Sequence, residues 1–268
     1  MNQPVDIKIL VIIGISAMAI LFISFLAALI FSQRKKLKYQ QNLQALREQQ
    51  QNQLIEAAVM SEESERHRIA ETLHDEVGAI LSSAKLHLLG IKAASLDERD
   101  LQMHEKGRTL LNEVIQKVRG ISHNLHSNIL KEFGLNEAIR DFIKKTVSGS
   151  AMEAEAELDE SYQTTNHDED ISIYRMVQEL INNIIKYANA SKLAVRSVQK
   201  DQQLHIDIWH NGEGLTQEQF EDLSFRKEGL GLKNIRNRII LLKGKILFSQ
   251  EPDGYHIRIS APVKQPAA

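Results

Sequence analysis

The chain of 268 residues contains no cysteine, and this absence removes several classes of protein at once. A disulfide scaffold, a thiolate zinc site, an iron–sulfur cluster and a cysteine nucleophile all need that residue. An excess of charge of one sign is lacking too, since 33 Lys and Arg residues stand against 35 Asp and Glu residues. A chain so close to neutral gives no electrostatic reason to expect direct nucleic-acid binding. Its 43% of hydrophobic residues also excludes a disordered chain.

One long segment near the N-terminus lacks charge altogether. Residues 9–31 carry no ionisable side chain, and Ser16 and Ser24 are their only polar residues. At about 1.5 Å per residue, a helix of this length spans a hydrocarbon core of ~30 Å. A secretory signal peptide is the alternative, but the run is longer than the usual apolar region of such peptides and no basic n-region precedes it.

The charges that follow this segment predict its orientation. Four basic residues come directly after it, namely Arg34, Lys35, Lys36 and Lys38. Basic residues next to a membrane helix stay in the cytoplasm. We therefore predict a single-pass anchor in residues 1–32, with a short N-terminus outside and the rest of the chain inside.

The next segment, residues 33–60, contains neither glycine nor proline and is rich in Gln, Leu, Ala and Glu. This composition favours one continuous helical linker running out of the membrane. Its apolar seam is poor, so a solvated helical spacer and a weak parallel coiled coil both remain open.

Two amphipathic helices are predicted in residues 61–147. Apolar residues recur every three or four positions in the first, at Ile69, Leu73, Val77, Ile80, Ala84, Leu88 and Ile91. After a break at residues 93–100, the second carries a heptad seam of Leu111, Val114, Val118, Ile121 and Leu125. A hairpin of two such helices leaves its core faces half covered, so we predict a homodimer in which two hairpins form a four-helix bundle.

A histidine lies at the edge of the first stripe. His74 follows Leu73, about 100° further round the helix, and Asp75 is next to it. A neutral imidazole is a competent nucleophile through one ring nitrogen when a carboxylate holds the proton of the other. An ordinary polar side chain on a helix surface is the alternative role.

The surroundings of this histidine match a known pattern. Residues 65–78, ERHRIAETLHDEVG, resemble the phospho-acceptor box of bacterial sensor histidine kinases, in the subfamily that partners NarL-type response regulators. Residues 118–135 are similar to that subfamily's second dimerisation helix. The resemblance implies that His74 is phosphorylated and that Asp75 orients and deprotonates it. Members with a known phosphatase motif carry Gln where this chain has Ala79, so the resemblance supports autophosphorylation better than dephosphorylation of a regulator.

Residues 151–264 combine helices with strands. Helices are predicted at 171–188 and 231–242, and two strand pairs at 193–198 with 204–209 and at 245–249 with 256–261. This mixture predicts a two-layer α+β sandwich. The motifs GxxxxGK[ST], HRD and DFG do not occur, which disfavours P-loop NTPases and protein Ser/Thr/Tyr kinases.

One face of the first of these helices collects four different groups. They stand at positions i, i+4, i+7 and i+8, as Glu179, Asn183, Lys186 and Tyr187. An amide oxygen suits Mg²⁺, and an ammonium group meets phosphate charge. Two glycine-rich stretches follow, and the second leads into a helix whose N-terminus favours phosphate. Their glycines are Gly212, Gly214, Gly229 and Gly231.

In this order the three features resemble the N box and glycine boxes of the ATP-binding domain shared by histidine kinases, DNA gyrase, Hsp90 and MutL. The resemblance implies ATP and Mg²⁺ as ligands, with Asn183 on the metal. It places Lys186 and Tyr187 on phosphates or ribose, and Gly229 and Gly231 as anchors of a mobile lid at residues 216–228.

Two further positions bear on this ligand. Glu179 stands where ATP-hydrolysing relatives keep their general base, and in a histidine kinase it helps to orient the metal shell. His210 stands where the family has an Asp that accepts a hydrogen bond from the adenine amino group. A neutral imidazole has one acceptor nitrogen, so the bond that it makes is weaker.

The sequence therefore predicts an α+β multidomain protein with a transmembrane helix, a dimeric four-helix bundle hairpin and an α/β sandwich ATP-binding domain. The predicted function is that of a sensor histidine kinase in the bacterial cytoplasmic membrane. It autophosphorylates on His74 and passes the phosphoryl group to an Asp of a response regulator. A non-catalytic or weakly ATP-binding dimeric adaptor is the alternative, because of His210. An ATP-hydrolysing machine of the gyrase type is a third, against which the acceptor box speaks.

Overall fold

The computed structural model describes residues 7–91, 97–125, 128–148, 151–163, 166–226 and 230–263. The chain forms two compact units, residues 1–54 and 55–268. Helix α1 runs from Ile7 to Glu71 and so begins in the first unit and ends in the second. The prediction of one continuous helix over residues 33–60 is confirmed.

The first unit consists of the apolar part of α1 and the charged residues after it. Large side chains of this part are open to the surroundings, with Ile12 at 62% and Phe31 at 72% exposure. Among the described residues it is the one helix long and apolar enough to cross a membrane.

In the second unit, the α-helical geometry of α1 gives way to one π-helical turn at Thr72–Val77. The N–H of Gly78 donates to the carbonyl of Leu73, five residues earlier, as a π-helix requires. Helix α2 then continues over Gly78–Leu89. Nothing in the sequence periodicity predicted this wider turn.

Helix α3 spans Glu98–Leu125 and packs against α2. It begins inside the predicted break, because the carboxylate of Asp97 accepts a hydrogen bond of 2.8 Å from the N–H of Asp100 and caps the first turn. Residues 92–96 of that break lie outside the described residues. Helix α4 follows at Asn128–Val147, with a backbone break at Gly134, where φ is 81°.

The hairpin of α2 and α3 buries only part of its apolar stripes. Leu73 and Val118 are half-buried, whereas Ile80 is 69% exposed and Ile121 is 51% exposed. Inside the hairpin, the Ser122 hydroxyl donates to the carbonyl of Ala70 at 3.0 Å. The stripes predicted from the sequence thus remain partly uncovered within one chain.

A five-stranded sheet forms the rest of the second unit, in the order β1-β2-β3-β5-β4. Its strands are β1 Glu153–Glu157, β2 Lys192–Lys200, β3 Gln203–His210, β4 Lys245–Glu251 and β5 Gly254–Pro262. The two strand pairs predicted from the sequence are confirmed. Strand β1 was not predicted; it pairs in parallel with β2 at the edge and has the sequence EAEAE, a composition that is poor in strand-forming residues.

Three helices cover one face of the sheet: α5 His167–Tyr187, α6 Gln217–Phe225 and α7 Leu230–Leu241. Side chains between the two layers are fully buried, among them Val177, Ile181 and Ile208 at 0% exposure. On the opposite face of β3, His205 is exposed. The two-layer sandwich is therefore confirmed.

Helix α6 was not predicted and lies within the segment expected to form a lid. The hydroxyl of Thr216 accepts from the N–H of Gln219, whose side chain accepts from the N–H of Thr216 in return. This capping box starts the helix. Phe220 then stacks on Phe248 with ring centroids 4.5 Å apart and holds the helix on the sheet.

Candidate functional site

The π-helical turn carries His74 and Asp75 at the surface of the hairpin. Both side chains are exposed. Over the described ranges no side-chain hydrogen bond or ion pair joins the carboxylate of Asp75 to the imidazole of His74. The imidazole is open to a reactant from solvent, and π turns in helices are often found at functional sites.

A cavity of about 470 Å³ opens between α5, the end of β3 and the start of α7. This volume lies within the range of ligand pockets in proteins. Most residues in the predicted ligand set line it, namely Glu179, Asn183, Lys186, Tyr187, His210, Gly214 and Gly231. Gly212 does not line it, and Gly229 lies outside the described residues. His74 and Asp75 are on a different element.

The polar groups of α5 lie along one side of this cavity. The Nδ2 group of Asn183 donates to Oε1 of Glu179 at 3.5 Å, so the amide oxygen of Asn183 is turned away from the carboxylate. The ammonium of Lys186 lies 5.5 Å from the ring centroid of Tyr187, and both side chains are exposed. The helix thus presents an oxygen ligand, a carboxylate and a cation to one space, as the i, i+4 and i+7 spacing predicted.

The second glycine stretch meets this helix at Gly231. A Cβ atom on Gly231 would lie 1.8 Å from Oε1 of Glu179, so a larger residue here would displace that flexible carboxylate. The N-terminal turn of α7 therefore lies directly against the carboxylate. Backbone N–H groups in the first turn of a helix have no partner within that helix and attract anions.

In the first glycine stretch, glycine is required for a different physical reason, namely close approach to backbone and to an aromatic ring. A Cβ atom on Gly212 would lie 2.1 Å from the carbonyl of Ala188, and one on Gly214 would lie 2.4 Å from the ring of Tyr255. The first close approach brings the end of β3 against the end of α5. The second brings the loop over the aromatic ring beside the cavity.

His210 is the buried polar side chain of this cavity. It is 1% exposed, and its ring stacks on that of Tyr255 with centroids 5.7 Å apart and planes at 12°. Its Nδ1 atom is buried without a hydrogen-bond partner. Burial, and to a lesser extent the nearby His256, lowers the pKa of His210 to about 4, so its ring is neutral at pH 7.

Two buried arginines were missed by the sequence analysis. Arg175, in α5, donates to both carboxylate oxygens of Glu63 in α1, with the shortest contact at 2.6 Å. It also donates to the backbone carbonyls of Asn124 at 3.1 Å and Leu125 at 2.7 Å in α3. The sheet domain is thereby joined to the helices that lead to and from the hairpin.

The second arginine adds to the same contact. Arg238, in α7, donates to Glu62 at 3.2 Å and lies 3.7 Å from Glu63. Burial lowers the pKa of Arg238, and the carboxylates of Glu62 and Glu63 oppose that effect. Charged residues in a helix usually indicate a solvated face, so no sequence pattern pointed to the ion pairs of Arg175 and Arg238, which join residues 112 and 176 positions apart.

Two family models match the chain, one over the helical hairpin and one over the sheet domain. Residues 65–130 match a family described as histidine kinase, which contains His74. Residues 168–265 match the family described as histidine kinase-, DNA gyrase B-, and HSP90-like ATPase, which contains the cavity. The chain belongs to the histidine kinases.

Individual relatives agree with this assignment. The chain is similar to the sensor histidine kinase MctS of Rhizobium johnstonii, 26% identical over 78% of this chain and 45% of the relative. It is similar to the sensor protein VraS of Staphylococcus aureus, 28% identical over 76% of this chain and 57% of the relative. The sensor histidine kinase NarS of Mycobacterium tuberculosis is 25% identical over 80% of this chain and 48% of the relative. The chain thus spans about half the length of these relatives.

Proposed function

We propose that this histidine kinase autophosphorylates on His74 with ATP as the donor, and then transfers the phosphoryl group to an aspartate of a response regulator. The observation that carries the proposal is the cavity between α5 and α7, together with an exposed histidine in the phospho-acceptor segment. A ring nitrogen of His74 forms a bond to the γ-phosphorus, the bond to the bridging oxygen breaks, and ADP leaves. The ring proton passes to the carboxylate of Asp75. Transfer onward breaks the N–P bond and forms an O–P bond on the regulator.

The residues around the cavity fit a nucleotide with a divalent cation. At Gly231 the start of α7 lies against the Glu179 carboxylate, and the Asn183 amide oxygen is a hard donor of the kind that Mg²⁺ prefers. Lys186 offsets charge on the phosphates, Tyr187 contacts phosphate or ribose, and Glu179 orients the metal shell. Mg²⁺ in this position supplies charge compensation for the phosphates. Gly229 and Gly231 are proposed as the anchors of a mobile lid.

Uncovered apolar side chains support a homodimer. Leu86 is 70% exposed, Ile80 69% and Val114 44%, all on the hairpin of α2 and α3. Burying such residues against a second hairpin stabilises the pair by about 25 cal/mol for each Å² of apolar surface. We propose that two chains form a four-helix bundle there, which presents two phospho-acceptor histidines.

The first unit supports anchoring in the bacterial cytoplasmic membrane. The apolar part of α1 is followed by Arg34, Lys35, Lys36 and Lys38, which favours a cytoplasmic position for the second unit. The pairing with a NarL-type regulator follows from the subfamily resemblance.

Labelling of the full chain in lipid nanodiscs with γ-labelled ATP and Mg²⁺ tests the proposal. We expect label that is labile in acid and stable in base, and that is lost in the His74→Gln variant. His87→Gln is the matched control, because His87 is another exposed histidine on the same hairpin. Label that persists in His74→Gln, or that is stable in acid as on Ser or Thr, would refute it.

The buried His210 favours a second candidate, a dimeric adaptor without catalysis. Its imidazole offers one acceptor nitrogen where the family resemblance implies a carboxylate. An adaptor of this kind predicts no measurable affinity for any nucleotide in the wild-type chain, and a gain of affinity for ATP in His210→Asp.

A further inference from the structure

Two chemically different sets of side chains line the cavity between α5 and α7. The polar groups Glu179, Asn183 and Lys186 lie on α5 and are exposed or half-buried. His210 lies on the sheet side of the cavity, together with apolar side chains of the sheet and of the loop after β3, among them Leu215, Phe248 and Ile257. Phosphates need cations and backbone N–H groups, whereas a flat heteroaromatic base needs apolar walls and a polar group at its edge. The base of a bound nucleotide therefore belongs on the sheet side of the cavity, beside His210.

No group in the described residues fixes the tautomer of His210. Its Nδ1 has no hydrogen-bond partner in the described part of the chain. The buried His256 offers a contrast, because carboxylates lie at both of its ring nitrogens, with Asp207 3.0 Å from Nδ1 and Asp253 3.4 Å from Nε2. The proton of a neutral imidazole settles on the nitrogen whose partner accepts it. Either ring nitrogen of His210 can therefore carry the proton, since neither tautomer breaks a hydrogen bond to the described part of the chain.

Adenine and guanine present opposite groups at the edge that distinguishes them. At position 6 of the purine ring, adenine has an amino group, which donates, and guanine has a carbonyl oxygen, which accepts. A carboxylate only accepts, so opposite position 6 it pairs with the adenine amino group and is left unpaired against the guanine oxygen. A neutral imidazole accepts in one tautomer and donates in the other.

We propose that His210 relaxes the choice of base, so that this kinase takes both guanine and adenine nucleoside triphosphates. This inference rests on the proposed function, because it names the substrate class of the same cavity. A pocket that is built to hydrogen-bond one group rejects an analogue by about 10⁴-fold when a buried polar atom loses its partner. His210 removes that penalty for guanine because its own tautomer adapts.

Binding of ATP and GTP to the full chain in nanodiscs, each with Mg²⁺, tests the inference. For the wild-type chain we expect the two dissociation constants to differ by less than about tenfold, and γ-labelled GTP to label His74. In His210→Asp we expect the preference for ATP to rise by at least about a hundredfold, because a carboxylate excludes the guanine oxygen.

Two further variants serve as controls. His210→Asn keeps both a donor and an acceptor, so it should retain the weak preference of the wild-type chain even if His210→Asp fails to fold. His205→Asn, on the exposed face of the sheet, should leave the ratio unchanged. A wild-type preference for ATP above a hundredfold, with His74 still labelled by ATP, would refute this inference alone. Failure of the wild-type chain to bind either nucleotide would refute both this inference and the proposed function.

Discussion

Replacing Arg175 with methionine should destabilise the second unit far more than loss of an exposed arginine. The side chain of Arg175 is 4% exposed and that of its partner Glu63 is 22% exposed. Removal of one partner from a buried ion pair costs about 3–5 kcal/mol, because the other charge loses its compensation. Two backbone carbonyls and the Oε1 atom of Gln178 also lose a donor. Arg238 remains 3.7 Å from Glu63, so we expect the lower end, about 3 kcal/mol.

Thermal unfolding of the full chain in detergent measures this effect. For a unit of about 200 residues, 1 kcal/mol corresponds to roughly 2–4 °C, so the melting temperature of Arg175→Met should fall by roughly 6–12 °C. Arg196→Met is the matched control, because Arg196 makes a 2.7 Å pair with Glu157 in which both side chains are more than half exposed. An exposed ion pair contributes little to stability, so this variant should have the melting temperature of the wild-type chain.

A double variant tests whether the loss comes from the uncompensated charge of Glu63. In Glu63→Gln with Arg175→Met, no carboxylate remains beside the vacated position, so the combined loss should be smaller than the sum of the two single losses. If Arg175→Met melts no lower than Arg196→Met, the buried contact between the sheet domain and the helices does not contribute as described.

Three further predictions concern the cavity and the hairpin. Gly231→Ala should lower nucleotide affinity at least about tenfold, because the new methyl group displaces the Glu179 carboxylate that faces it. The chain should still fold, because that flexible side chain can move. Gly107→Ala is the control: its Cβ meets no atom within 4 Å, so the variant should bind nucleotide normally and gain about 0.5–1 kcal/mol in helix stability. The lowered pKa of His210, about 4 in the folded chain, means that the unfolded chain binds the proton first as pH falls. Its contribution is complete above the unfolded pKa of about 6.5 and is lost between there and about 4, so the melting temperature should fall in that window, and by less in His210→Asn. Ile121→Glu should yield monomers by light scattering, while Val198→Glu, an equally exposed apolar position on the sheet, should leave the dimer intact.

Much of the fold followed from periodicity and turn chemistry. The heptad spacing predicted α3, and the alternation of apolar residues on either side of Asp201 predicted the hairpin of β2 and β3. Helix α6 could also have been predicted, because Thr216 and Gln219 have the spacing of a capping box. Strand β1 could not, since its alternating Glu and Ala residues gain their strand geometry only by pairing with β2.

The candidate site was predictable where local spacing decides it. Glu179 and Asn183 share a helical face by their separation of four residues, and the structure places both in one cavity. The unpartnered Nδ1 of His210 and the Glu63 contact of Arg175 depend on residues brought together only by folding. No pattern along the chain encodes such contacts.

The π-helical turn at Thr72–Val77 has a consequence for insertions and deletions. Such a turn holds one residue more than the α-helical turn that it replaces, so the side chains on its two sides are offset by about one helical position. Deleting one residue from the turn would restore unbroken α geometry and leave the two flanking segments facing nearly as they do now, whereas a deletion elsewhere in the helix would rotate one segment against the other by about 100°. The phospho-acceptor segment is therefore the place along this helix where the loss of one residue disturbs the facing of the flanking segments least.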